Sequence, residues 1–166
     1  MQSPWEDELK ERQFVLGVQT HVSEIVKKNP HKIATETLVT IENIFGNIVK
    51  KPQDDKKRKL RTSNDLVQKL FAVRGAEMCV YSAGFCLKTE GHQEYCVLLP
   101  QEGSMERLKK ALAVVQKQLK STENKREKQR SQKQKEKDEI QRRKDLVAIQ
   151  FMEDREQTSR RQQTTE

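Results

Sequence analysis

With 166 residues, the chain has room for one domain and an extension. Apolar residues make up 33% and charged residues 35%, below and above ordinary globular usage, and the apolar ones concentrate between Ile33 and Leu119. A formal charge of +8 favours acidic partners, whether nucleic acid, anionic membrane or acidic peptide, while no apolar run approaches the ~20 residues that cross a bilayer.

The three cysteines, Cys79, Cys86 and Cys96, are odd in number and form no C-x-x-C pair. No secretory signal is recognised ahead of them. An oxidised scaffold is therefore not expected, and a reducing compartment, the cytoplasm or nucleus, is.

Ser3, Pro4 and Glu6 form a capping box with proline at the first helical position. It opens a helix towards Lys28 with Val15, Val18, Val22, Ile25 and Val26 on one side and Gly17 as a candidate interruption. Trp5 is expected to pack within this helical segment, with a partner groove as the alternative. Asn29-Pro30 stops the helix, because a residue before proline is pushed away from helical angles. From His31 to Lys50, Ile33, Leu38, Ile41, Ile44, Phe45, Ile48 and Val49 recur at helical spacing and mark the main core helix.

Next comes NIVKKPQDDKKRKLRTSN, residues Asn47 to Asn64. Asp54 and Asp55, favoured in a first turn, are expected to start a short basic helix through Leu60 and Arg61. Ser63 or Asn64 then caps a helix carrying Leu66, Val67, Leu70 and Phe71. Gly75 to Ala83 reads as a further short helix ended by Gly84. Phe85 to Lys88 and Tyr95 to Leu99 read as strands of a hairpin around Glu90-Gly91, and Ser104 opens a long helix through Leu119.

Lys120 to Arg143 contains one aliphatic residue, Ile140. A helix that is polar all round does not pack on a core, so this segment is expected to be a solvated helical extension or partly disordered. Leu146, Ile149, Phe151 and Met152 interrupt it with a short amphipathic patch. The fold class expected is mostly α (α+β): a compact helical domain with a small hairpin and a long charged C-terminal helix or tail. Its organisation is an N-terminal helical extension (1–30), a domain over 31–119 and a charged extension (120–166).

The function classes narrow quickly. His21, His31 and His92 are scattered and expected at the surface, with no zinc-spaced ligand set beside them. There is no Gly-rich phosphate loop, no G-x-S-x-G and no nucleophile with a base. Neither catalysis, a cofactor nor a metal is expected. Asp54-Asp55 read as a helix start and as ion-pair partners rather than a catalytic pair. What remains is a basic rim with amide side chains at the lip of an apolar helical unit, which suits an acidic chain carrying an apolar anchor.

Ile33 to Leu119 resembles the PUB (PUG) domain, the helical module of cytoplasmic peptide N-glycanase and some UBX-containing proteins. Asn47, Ile48 and Pro52 match the family's Asn-Ile-x-x-x-Pro. Asp54, Asp55, Lys56, Lys57 and Arg58 match its acids and Lys-aromatic-Arg triplet, with Lys57 in place of the aromatic. Arg61, Thr62, Ser63 and Asn64 match Arg-x-Gly-Asn, with Ser63 in place of the glycine. Val73-Arg74-Gly75-Ala76 and Gly84-Phe85 follow at the family's distance, as does Val97-Leu98-Leu99-Pro100.

The resemblance implies a non-catalytic adaptor that docks on the acidic, aromatic-containing C-terminal tail of the AAA ATPase valosin-containing protein in ubiquitin-proteasome or ER-associated degradation. It places Asn47, Lys56, Lys57, Leu60, Arg61 and Asn64 at the peptide. Lys56 and Arg61 would pair with carboxylates, Asn64 would hold peptide backbone or the polar end of the aromatic, and Leu60 would floor the pocket for the aromatic ring. Other ubiquitin-pathway proteins are further partners to expect.

The alternative is a nucleic-acid or ribonucleoprotein component using the basic C-terminal helix, whose binding would fall steeply with salt. Between Lys120 and Glu166, however, 14 lysines and arginines face 10 acids, leaving +4. No aromatic is interleaved with the basic residues of Lys120 to Arg143 for base stacking, and charge pairing at i, i+4 accounts better for the composition. A coiled coil would need apolar a and d positions over several heptads, which the tail lacks.

Overall fold

The computed structural model describes residues 4–163; the expected cap at Ser3 lies outside them. Two compact units divide at Ser121 and Thr122. Helices α1 (Pro4–Lys28), α2 (His31–Lys50), α3 (Asp65–Phe71) and α4 (Ala76–Ser82) and strands β1 (Lys59–Arg61), β2 (Phe85–Glu90) and β3 (Gln93–Leu98) build the first unit, and α5 (Ser104–Gln163) belongs to both. The fold is mostly helical with one small antiparallel sheet.

α1 continues through Gly17. A mid-helix glycine costs about 1 kcal/mol relative to alanine, and the fully buried Val18, Val22 and Ile25 beside it offset that cost, each apolar side chain contributing roughly 1.5–3 kcal/mol on burial. Trp5, expected to pack, is 63% exposed. Pro30 stands at the N-cap of α2 with φ −54° and ψ 142°. The Asn29 side chain closes this corner by donating to the carbonyls of Ile25 (2.9 Å) and Arg74 (3.0 Å).

Leu38, Ile41, Phe45 and Ile48 of α2 are buried in the middle of the core. Phe45 stacks on Phe85 of β2 with ring centroids 5.8 Å apart, and Leu108, Ala111 and Val115 of α5 complete that core. Ile33, which shares the apolar spacing, is instead exposed. It sits in the first turn of the helix and is 43% exposed.

The hairpin forms as expected, with Glu90 opposite Gln93 and a two-residue turn whose first position, Gly91, has φ 62°, a conformation glycine adopts without steric cost. Residues 54–61 do not form the expected basic helix. They make turns and then β1, which joins β3 antiparallel with Lys59, Leu60 and Arg61 opposite Val97, Cys96 and Tyr95. The strand order is β1-β3-β2. Hydrogen bonds from Leu98 N to Arg58 O and from Thr62 N to Glu94 O extend the pairing at both ends. A partner strand thereby satisfies backbone groups that an isolated three-residue segment would leave to water.

The second unit is helical over residues 122–163, and its side chains from 123 to 157 are exposed. Its polar surface carries i, i+4 contacts such as Arg143 to Glu139 (2.6 Å), Gln134 to Asp138 and Gln141 to Asp145. Among the described residues, no helix is long and apolar enough to cross a membrane.

Candidate peptide-binding site

Three local structures position the residues expected at the site. The last turn of α2 presents Asn47, which is exposed and whose carbonyl accepts the Lys51 N–H at 3.2 Å. The following turn is organised by Asp54, whose side chain accepts the Lys56 backbone N–H at 3.2 Å and whose carbonyl accepts from Lys57 at 3.1 Å. An aspartate bonded to its own chain two residues on is a recurrent turn device. It leaves Lys56 exposed and Lys57 half-buried. Arg58 is tied inwards by donation to the Pro52 carbonyl, so the basic run is not a uniform solvated face.

β1 then separates the remaining residues by alternation, since neighbours on a strand point to opposite faces. Leu60 packs inwards against the core, while Arg61 is exposed. Three residues on, the Asn64 N–H donates to the Arg61 carbonyl at 3.1 Å, and the Asn64 side-chain oxygen accepts from Leu66 N at 2.9 Å as the N-cap of α3. The cap expected at Ser63 or Asn64 is therefore Asn64. The six residues expected at the peptide lie on the end of α2, a turn, an edge strand and the start of α3.

Beside this rim, α2 and α3 enclose an open groove of about 530 Å³. Ile33, Glu36 and Thr40 line one wall, and Leu66, Lys69 and Val73 the other, with Asn64 at one end. Of the six expected residues, Asn64 alone lines this groove. Asn47 lies seven residues beyond Thr40 on α2, about 10 Å further along the axis at 1.5 Å per residue. The exposure of Leu66 (54%) was hidden in the sequence, where it reads like its buried neighbours Val67 and Leu70.

A second set of residues, on the sheet, is not evident in the sequence. Register places Arg61, Tyr95 and Lys88 side by side across β1, β3 and β2. Lys59, on the same face of β1, lies over the Tyr95 ring with Nζ 4.3 Å from the centroid and reaches Glu90. That hydrogen bond holds the Glu90 carboxyl below its ordinary range. The two-residue step from Lys59 to Arg61 was the available signal, but only once a strand is assigned.

A model of the PUB domain family matches residues 31–113, half of the chain, and no curated protein matches it. The chain belongs to the PUB domain family, a class of protein-interaction modules.

Proposed function

We propose that the chain is a non-catalytic adaptor whose PUB domain binds the acidic, aromatic-containing C-terminal tail of valosin-containing protein, working in the cytoplasm or nucleus in ubiquitin-proteasome or ER-associated degradation. The observation that carries this reading is the rim itself. Within the matched domain, exposed Lys56 and Arg61 flank the inward-turned Leu60, and exposed Asn64 is bonded to the Arg61 carbonyl. Lys56 and Arg61 are the groups for tail carboxylates, Asn47 and Asn64 for peptide backbone, and Lys57 adds a further cation. Leu60 is packed inward beneath this rim and would support an aromatic ring only from below. Because Lys57 replaces the family's aromatic, one wall of that pocket is missing and charge carries more of the recognition.

Hydrogen bonds to charged groups contribute about 1.5–3 kcal/mol each and exposed ion pairs about 0.2–1. Two or three such contacts and one partly buried ring reach about −7 to −8 kcal/mol, near micromolar affinity. The test is a titration of a labelled acidic peptide ending in an aromatic and a small residue against the wild-type protein and Arg61→Ala. Binding that weakens at least several-fold in the variant supports the reading, and equal affinity for both proteins removes it.

A further inference from the structure

The solvent face of the sheet carries more charge and shape than the rim requires. Arg61, already assigned to the tail, is the first member of a row that runs directly across three strands to Tyr95 and Lys88. Directly opposed residues on neighbouring strands share a face and lie within side-chain contact. Lys59 crosses this row, its ammonium over the Tyr95 ring and in contact with Glu90, and Tyr95 is held by donation of its hydroxyl to Gln93 at 3.0 Å.

The balance of charge on this face is positive. Lys59, Arg61 and Lys88 face one carboxylate, Glu90, which Lys59 engages closely and Lys88 only at 3.9 Å. Among the described residues, no carboxylate pairs with Arg61, and the Lys88 side chain is 56% exposed. Lys88 stands two strand spacings from Arg61, roughly 10 Å at 4.7–4.9 Å per spacing, the reach of about three extended residues. A peptide anchored at the rim and directed across the sheet would reach Lys88 with about three extended residues beyond Arg61.

We propose that the Arg61–Tyr95–Lys88 row, with Lys59 fixed across it, binds the acidic residues that precede the aromatic anchor of the docked tail. The inference rests on the rim being a tail-docking site and names a second segment of the same ligand. Tyr95 and the Lys59 stem supply a flat, rigid floor, and Lys88 and Arg61 supply the cations at its two ends. Nucleic acid meets the same positive sign, but the stacking that single strands use needs an open aromatic face, and Lys59 lies over the Tyr95 ring.

The experiment compares two labelled peptides: a short one ending in the aromatic and small residue, and a longer one carrying several further acidic residues ahead of them. Each is titrated against the full chain, Lys88→Glu and Lys88→Arg. In the wild type the extension tightens binding about three- to tenfold, the scale of one or two exposed ion pairs. Lys88→Glu abolishes that gain and leaves the short peptide unchanged, and Lys88→Arg retains the gain. A gain that survives Lys88→Glu, or a wild type that does not distinguish the two peptides, overturns the inference while leaving the rim intact. Failure of both peptides to bind overturns the rim reading and this one with it. Binding of a single-stranded oligonucleotide that Lys88→Glu abolishes, with no peptide gain, assigns the face to nucleic acid and overturns the inference.

Discussion

The side-chain oxygen of Asn64 accepts the backbone N–H of Leu66 at 2.9 Å, so a residue placed at the peptide also starts a helix. Substitution there mixes two effects. Removing an N-cap costs about 0.5–2 kcal/mol, which is added to any loss of peptide contact. Asn64→Ala is predicted to lower the melting temperature and weaken the acidic peptide. Asn64→Asp keeps a cap acceptor and adds a negative charge at the helix start, where it is favoured. It is expected to melt as the wild type does while binding the acidic peptide several-fold more weakly. Thermal unfolding and titration on both variants separate the two roles. Equal melting of Asn64→Ala and wild type would show that the cap is not made in solution.

Gly75 makes the junction between α3 and α4 with φ 88°. A β-carbon there would meet the Glu24 side chain and the His21 carbonyl at 3.3 Å, so the backbone calls for glycine and the added carbon would be tightly placed. Left-handed geometry costs other residues roughly 1–2 kcal/mol, and the contact with a backbone carbonyl adds to it. Gly75→Ala is predicted to destabilise the domain by about 1–3 kcal/mol in denaturant unfolding. Gly91→Ala, where φ is 62° but nothing lies within 4 Å of the added carbon, is expected to cost less. The reverse order would mean that α1 does not pack against this junction.

The thiols differ in accessibility. Burial pushes Cys79 and Cys96 up to about 12 from an ordinary value near 9, whereas Cys86 is half-buried. The thiolate is the reactive form, so at pH 8 native protein is predicted to be alkylated at Cys86 first and at the other two only on unfolding. Mass spectrometry after a short iodoacetamide pulse reads this directly. The sign of the linked pH effect follows. The folded state keeps protons that the unfolded chain releases above about pH 9, so stability is intact below that pH and falls as pH rises towards 12. Rapid labelling of all three thiols in the native protein would contradict the burial.

Much of this architecture was legible in the residues. The apolar spacing of Leu38, Ile41, Phe45 and Ile48 marks α2, Asn29-Pro30 marks its start, and Gly91 marks the hairpin, because each is a local signal. Residues 54–61 were not legible. Two acids followed by cations look like a helix start, and what decides otherwise is β3, more than thirty residues away in the chain. Ile33 and Leu66 follow the periodicity of buried neighbours, and periodicity does not say whether another element covers a given turn. The character of the rim, cations with asparagines, was visible in Asn47 to Asn64. The Arg61–Tyr95–Lys88 row was not, because cross-strand register depends on pairing that no single segment encodes.

The most direct test of tail docking is the change in backbone amide shifts when the short acidic peptide is added to isotope-labelled protein. The account predicts that the largest changes fall at Asn47, from Lys56 to Arg61 and at Asn64, and that added salt reduces them. Changes concentrated in the α2–α3 groove at Ile33, Leu66 and Val73, or in residues 122–157, would contradict it.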